Sequence, residues 1–367
     1  MPGGRNDGAG PDDPAPPARL WRFALALGIG IVGGLVFDWL TMPLPWMLGA
    51  MVFNTVAALV GVPVLSPIRV RPYVLVVIGV MLGSGFTPDI LEQGLAWAVS
   101  LAFLGGYLLV SGLLVVPFYR RVGGYDPVTA YFAGMPGGLN DMILIGEERG
   151  GDGRVIALAH AVRIMLVVLL VALWFRLIGG HDIGEQSVFG VPFAEIPPRE
   201  LVILLVTGVV GFFAGRWLRL PAPMMLGPML ASALVHLFGV AHYPPPSEVV
   251  LVAQLLMGTI LGTRFVGSDP REVGRAVVLG LGASLVMLAV TAGFAFAFHG
   301  LFRQTVEQVV LAYAPGGLAE MSLVALAMNA EVAYVATHHM ARIALVILFA
   351  PLAFALLRRR FGGRGGE

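Results

Sequence analysis

Met135-Pro136-Gly137-Gly138-Leu139-Asn140-Asp141-Met142 recurs 179 residues later as Ala314-Pro315-Gly316-Gly317-Leu318-Ala319-Glu320-Met321. Each copy interrupts an apolar stretch. Proline removes a backbone donor and glycine permits positive φ, so both break a helix and free backbone groups. The match extends outward from there. Asp152 falls on Glu331, His160 on His339 and Arg163 on Arg342, while upstream Gly79, Gly83 and Phe86 fall on Gly258, Gly262 and Phe265. Further upstream, Leu44–Met51 (LPWMLGAM) matches Ala222–Met229 (APMMLGPM) at an offset of 178. A single one-residue shift over most of two halves identifies a tandem duplication.

The medium follows from composition. The 367 residues are 57% hydrophobic and only 12% charged, against about 25% charged in a soluble domain. Mean hydropathy is +0.86. Runs such as Phe23–Leu40, Gly94–Phe118, Val155–Ile178, Leu201–Leu218 and Ala276–Phe298 suit a span of roughly 20 apolar residues. The net charge of +1 implies no polyelectrolyte partner, so nucleic acid is not expected. There is no cysteine, which removes disulfides, thiolate metal sites and cysteine nucleophiles together. Residues 1–18 are rich in Pro, Gly and Asp and predict a disordered tail. The first apolar run follows Arg19 and Arg22 but lacks a small-residue cleavage site, so it reads as a retained span. The expected division is a tail (1–18), repeat 1 (19–180), a polar linker (181–198), repeat 2 (199–357) and a C-terminal tail (358–367).

Arginine placement orients the halves. Each copy holds five candidate spans and one shorter segment carrying Pro-Gly-Gly-Leu. If that segment enters and returns on one side, the second copy is inverted; if it crosses, the copies are parallel. With Arg19 and Arg22 inside, the returning version also puts Arg69, Arg71, Arg120, Arg121, Arg216, Arg219, Arg264, Arg271, Arg275 and Arg358–Arg360 inside, leaving Arg176 and Arg303 outside. The crossing version exports Arg216, Arg219, Arg264, Arg271 and Arg275. The expectation is an all-α integral membrane protein of about ten transmembrane helices, an inverted 5+5 repeat with two re-entrant broken segments and both termini cytoplasmic. Inverted repeats with interrupted helices meeting near the midplane are characteristic of secondary transporters.

The candidate solute-binding residues are Pro136, Gly137, Gly138, Asp141, His160 and Arg163, with Pro315, Gly316, Gly317, Glu320, His339 and Arg342. A helix restarting at Gly138 or Gly317 aims free amides into a cavity, which suits an anion. The plain alternative is a structural bend. Arg163 and Arg342 lie deep in apolar runs, where a charge costs about 2.5–3.5 kcal/mol on insertion scales, so each requires a partner or a cavity. One reading pairs them with Asp141 or Asp152 and with Glu320 or Glu331; the other gives them to an anionic solute. His160 and His339 precede their arginines by three residues and share a helix face with them; they read as proton-carrying or hydrogen-bonding groups. No acidic-histidine cluster at metal-ligand spacing appears, so no metal, cofactor or catalytic residue is expected. Gly79-x3-Gly83 and Gly258-x3-Gly262 read as tight helix packing; Asn54 and Ser232 are weaker polar candidates.

These motifs resemble the membrane AbrB family, also labelled as an ammonia monooxygenase. The resemblance rests on Pro45–Gly49, Pro136–Leu139 with Asp141-Met142, Pro223–Met229, and Pro315–Leu318 with Glu320-Met321. It implies a bacterial inner-membrane protein associated with regulation of gene expression, and it brings no catalytic residues. The function expected first is secondary transport of a small anionic solute, with or without a coupling ion, by a monomer or an oligomer in the bilayer. The alternatives are a membrane regulator of gene expression that carries no solute and, third, an ammonia monooxygenase, for which no copper site is visible.

Overall fold

The structure is a computed structural model that describes residues 16–66, 68–86, 90–177, 190–220, 222–328 and 330–362. Most of the expected N-terminal tail, the first part of the linker and the end of the C-terminal tail lie outside the described residues. Among the described residues there are no strands, and fourteen α-helices carry the chain. The first seven are α1 (Pro16–Trp39), α2 (Pro45–Leu59), α3 (Arg71–Ser84), α4 (Ile90–Arg121), α5 (Pro127–Gly134), α6 (Leu139–Glu148) and α7 (Gly153–Leu177). The others are α8 (Pro198–Trp217), α9 (Pro223–Leu237), α10 (Ser247–Gly262), α11 (Pro270–Phe302), α12 (Val306–Tyr313), α13 (Leu318–Ala327) and α14 (Val332–Gly362). Two expected boundaries shift. Helix α1 begins at Pro16, inside the segment assigned to the tail, and α14 continues past Leu357 to Gly362.

Seven helices are long and apolar enough to cross a membrane: those of α1, α4, α7, α8, α10, α11 and α14. Helices α2 and α9, at 15 residues each, are apolar but shorter. At 1.5 Å per residue they reach about 22 Å, less than the ~30 Å hydrocarbon core. The chain is therefore a multi-pass membrane protein.

Two blocks of helices make up the molecule. In one, α1, α2, α3, α8, α9 and α10 pack together; in the other, α4–α7 pack with α11–α14. Between them the contacts are sparse, chiefly α3 against α13 and α14. The first block is sewn by glycines. A Cβ on Gly49 would strike the Gly33 backbone, and one on Gly227 the Gly211 backbone. Gly258 meets the carbonyl of Met47, and Gly79 that of Met225. Thus α2 lies on α10 and α3 on α9, as close as small residues permit. Two turns entering this block use left-handed backbone at non-glycine residues, with Leu44 at φ 50° and Ala222 at φ 48°, each just before the first proline of its helix.

In the second block α4 and α11 run antiparallel. Phe103 packs on Phe298 and Phe302, the Thr291 hydroxyl donates to the Tyr107 hydroxyl at 3.1 Å, and Arg275 donates to the Gly123 carbonyl at 2.5 Å. Helices α5 and α6 form a hairpin following α4. Its ends meet where the Asp152 amide donates to the Thr129 hydroxyl at 2.8 Å. Helices α12 and α13 form a second hairpin following α11, with the Gln304 amide near the Glu331 carboxylate at 3.4 Å across its base. Since α4 and α11 point in opposite directions, the two hairpins enter from opposite ends. Arg176, a stray in the arginine count, bonds to Thr41 on the α1–α2 turn.

Asp126 caps α5: its Oδ1 accepts from the amides of Val128 at 2.9 Å and Thr129 at 3.0 Å. Burial pushes this carboxyl up, but the Thr129 hydroxyl and the Thr129 and Val128 amides outweigh it and hold it below its ordinary value. Asp126→Ala should destabilise the protein by about 1 kcal/mol in detergent near neutral pH. A depressed carboxyl stabilises above its unfolded pKa of about 3.9 and stops doing so as pH falls through the folded value. The gap between wild type and variant should therefore close in acid, as read by thermal unfolding from pH 7 to pH 3. For the glycine seam, Gly49→Leu should lower the melting temperature sharply, by overpacking of about 1–3 kcal/mol or more. Gly28→Ala, with open space around it, should leave the melting temperature nearly unchanged.

Candidate functional site

The two hairpin tips converge on α7 and α14. A Cβ on Gly137 would sit 2.7 Å from Val346, one turn beyond Arg342, and a Cβ on Gly316 would sit 3.6 Å from Val167, one turn beyond Arg163. Each tip therefore leans on the long helix of the opposite half. Arg163 and Arg342 are 2% and 3% exposed. Tyr107 is fully buried on α4, where its hydroxyl accepts from Thr291.

The broken helices supply the partners of the arginines. Helix α5 stops because Pro136 and the two glycines cannot continue it, and its last carbonyls lose their intrahelical donors. Arg163 donates to the Met135 carbonyl at 3.2 Å and to His160 Nδ1 at 2.9 Å. Arg342 donates to the Ala314 carbonyl at 2.5 Å and the Gly316 carbonyl at 2.6 Å. Positive charge at the carbonyl end of a helix is also favoured by the macrodipole. One nitrogen of each arginine, Nε, is buried without a partner.

The histidines hold the same carbonyl ends. His160 Nε2 lies 2.9 Å from the Phe132 carbonyl and His339 Nε2 lies 3.0 Å from the Leu311 carbonyl. Because Arg163 donates to Nδ1 of His160, that nitrogen accepts and carries no proton, so Nε2 carries it and donates to Phe132. In this arrangement His160 is a neutral, hydrogen-bonding group and not a proton carrier.

The acidic candidates lie elsewhere. Neither Arg163 nor Arg342 forms an ion pair with Asp141, Asp152, Glu320 or Glu331 among the described residues. Asp141 and Glu320 sit in the first turns of α6 and α13, folded back against Gly138 and Gly317. There a negative charge suits the helix N-terminus. The amide ends that could receive an anion already face a carboxylate of their own chain, while the arginines have none.

A second polar cluster escapes a search for charged motifs. Ser100 Oγ lies 2.6 Å from the Tyr334 hydroxyl and 2.8 Å from His338 Nε2, and the Tyr313 hydroxyl donates to the Ser100 carbonyl at 2.6 Å. All four residues are fully buried. His338 Nδ1 donates to the Tyr334 carbonyl at 2.8 Å, so Nε2 accepts from Ser100. At the offset of 179, the positions of Tyr334, His338, Tyr313 and Ser100 carry Val155, Ala159, Gly134 and Leu279. That difference between the halves was the available signal. Among the described residues no group of three His, Asp or Glu side chains could hold a metal ion.

Buried arginines gripping the ends of two broken hairpins, inside a multi-pass helical bundle, define the class: a polytopic membrane protein with an interior polar site. The chain belongs to the AbrB family, whose model, described as "Transition state regulatory protein AbrB", matches residues 46–358. It is 26% identical over 374 residues to "Uncharacterized protein YhjN" of Bacillus subtilis (strain 168), with 94% of each chain covered. It is 25% identical over 336 residues to "Putative regulator AbrB" of Escherichia coli (strain K12), covering 90% of this chain and 93% of that one.

Ser100→Ala would strand both the Tyr334 hydroxyl and His338 Nε2, and should cost about 1–3 kcal/mol. Ser284→Ala, which removes a buried hydroxyl that has no partner, should be close to neutral. Thermal unfolding of the two variants side by side measures the difference.

Proposed function

We propose that this protein is a secondary transporter of a small anion, built as an inverted pair of five-span units whose re-entrant hairpins meet at Arg163 and Arg342. One observation carries the reading: two guanidinium groups lie buried at the two hairpin tips, each hydrogen-bonded to helix-end carbonyls and neither ion-paired with an acidic side chain among the described residues. A buried charge of one sign is costly unless it is paired. The carbonyls at the helix ends satisfy hydrogen bonds but carry only partial charge. An anion arriving between the tips would supply the missing charge and take up charge-assisted bonds from nitrogens such as the two unpartnered Nε groups.

The inverted topology is supported by the antiparallel run of α4 and α11 and by hairpins entering from opposite ends. In this reading the shorter α2, α3 and α9 complete ten spans within a locally thinned or glycine-packed region. The half-length hairpin helices, about 12 Å and 15 Å long at the helical rise, place their tips near the midplane. Broken backbone at that depth is tolerated where protein or a wet cavity satisfies it.

The family description and the name of the Escherichia coli relative speak of regulation. We take regulation of gene expression as a second reading, indirect and following from a change in internal solute concentration.

The test is ligand stabilisation of purified protein in detergent, using sulfate, phosphate, succinate and citrate as probes with chloride as the reference. At least one multivalent anion should raise the melting temperature of wild type; saturation a hundredfold above Kd corresponds to about 2.7 kcal/mol. The Arg163→Gln/Arg342→Gln variant should lose that response. Equal responses in the two proteins would remove the arginine pair from anion binding.

A further inference from the structure

A cavity of about 950 Å³ lies between α4, α5 and the end of α14. Its mouth carries three arginines, Arg120, Arg121 and Arg149, and among the described residues no acidic side chain lines it. Arg149 is held in place: it donates to the Pro351 carbonyl at 3.2 Å and stands 5.7 Å from the centre of the Phe354 ring. Arg120 and Arg121 are exposed at the end of α4. The rest of the wall is apolar and opens sideways. Leu109 and Leu113 are both 64% exposed, on a helix that crosses the membrane. At the far end the lining reaches Met135, at the tip of the first hairpin.

Dimensions and charge together point to one kind of occupant. From Arg120 back to Leu109 the wall runs about 16 Å at the helical rise, close to half of a ~30 Å hydrocarbon core and so about one leaflet deep. From Pro127 to Met135 the facing helix α5 covers about 12 Å in the same direction. The groove thus has cations at one end, at the level where α4 meets its loop, and an apolar trough that ends near mid-membrane. Basic pockets of this form between membrane helices suit anionic headgroups. A free phosphate would fill only the mouth, and a zwitterionic lipid would leave the arginine charge uncompensated.

We propose that the groove is a binding site for one anionic phospholipid, its phosphate among Arg120, Arg121 and Arg149 and an acyl chain along Leu109 and Leu113 to Met135. The Met135 carbonyl is a ligand of Arg163, so the chain end would touch the residue whose backbone holds the buried arginine. This site stands independently of any transported solute.

Because the protein has no cysteine, a Leu113→Cys variant carries a single fluorescent label in the trough. Reconstituted in phosphatidylcholine vesicles, the label is titrated with brominated phosphatidylglycerol or with brominated phosphatidylcholine of the same chain length. The brominated anionic lipid should quench at least severalfold more strongly at equal mole fraction. Adding Arg120→Gln, Arg121→Gln and Arg149→Gln to the labelled protein should reduce its quenching to that of the zwitterionic lipid. If the triple change prevents folding, Arg121→Gln alone, at an exposed side chain, should weaken the preference measurably. Equal quenching by both lipids in the Leu113→Cys protein overturns the proposal. So does an undiminished preference in the arginine variants, or loss of the preference in millimolar inorganic phosphate at constant ionic strength, which would assign the mouth to a free anion.

Discussion

A guanidinium group cannot sit in a low-dielectric interior with its donors unmade, and the carbonyls at a helix end cannot sit there without donors. In this protein each problem solves the other. Pro136 and Pro315, with the glycines that follow, end α5 and α12 in the middle of the protein and expose carbonyl oxygens. Arg163 and Arg342 cross to those oxygens, and His160 and His339, one turn earlier on the same helices, take the carbonyls just before them. Each hairpin tip is thereby bonded to one long helix, Met135 to α7 and Ala314 to α14. Hydrogen bonding is largely satisfied by this exchange, while no acidic side chain among the described residues pairs with either arginine.

Much of this was legible in the sequence. Membrane residence follows from the apolar runs, and the broken segments from residues that can be compared directly, Pro136 with Pro315 and Gly137 with Gly316. The partner of the arginines was not legible. A search for counter-ions looks at Asp141, Asp152, Glu320 and Glu331, since those are the acids within reach along the chain. Backbone carbonyls are present at every residue and so leave no mark in composition. Only the three-dimensional end of a helix makes one carbonyl more available than another. Asp141 and Glu320, three residues past Gly138 and Gly317, carried a readable signal of the opposite kind: an acid in the first turn belongs to its own helix.

The Ser100, Tyr313, Tyr334 and His338 cluster escaped attention for a related reason. It joins α4, α12 and α14 across more than two hundred residues of chain, and no local spacing brings them together. What was visible was the departure between halves: Tyr313, Tyr334 and His338 stand where the first copy has Gly134, Val155 and Ala159, and Ser100 stands where the second has Leu279. Duplicated units keep what the shared architecture requires. Here two of the four diverging positions, Tyr334 and His338, lie on α14, the helix that bears Arg342.

The division into two helical blocks has a mechanical consequence. Inside the six-helix block, glycine brings backbone against backbone, leaving little to compress and few rotamers to rearrange. The eight-helix block holds both tips, both arginines and the aromatic cluster, and it meets its neighbour through α3 and through the packing of α2 and Phe265 on Val162 and Val273. The hydrogen bonds that hold the charged centre all lie within the eight-helix block, so a rigid displacement of that block would leave them intact. The depth of the site in the bilayer would then be a coordinate of the whole block, independent of any single side-chain torsion.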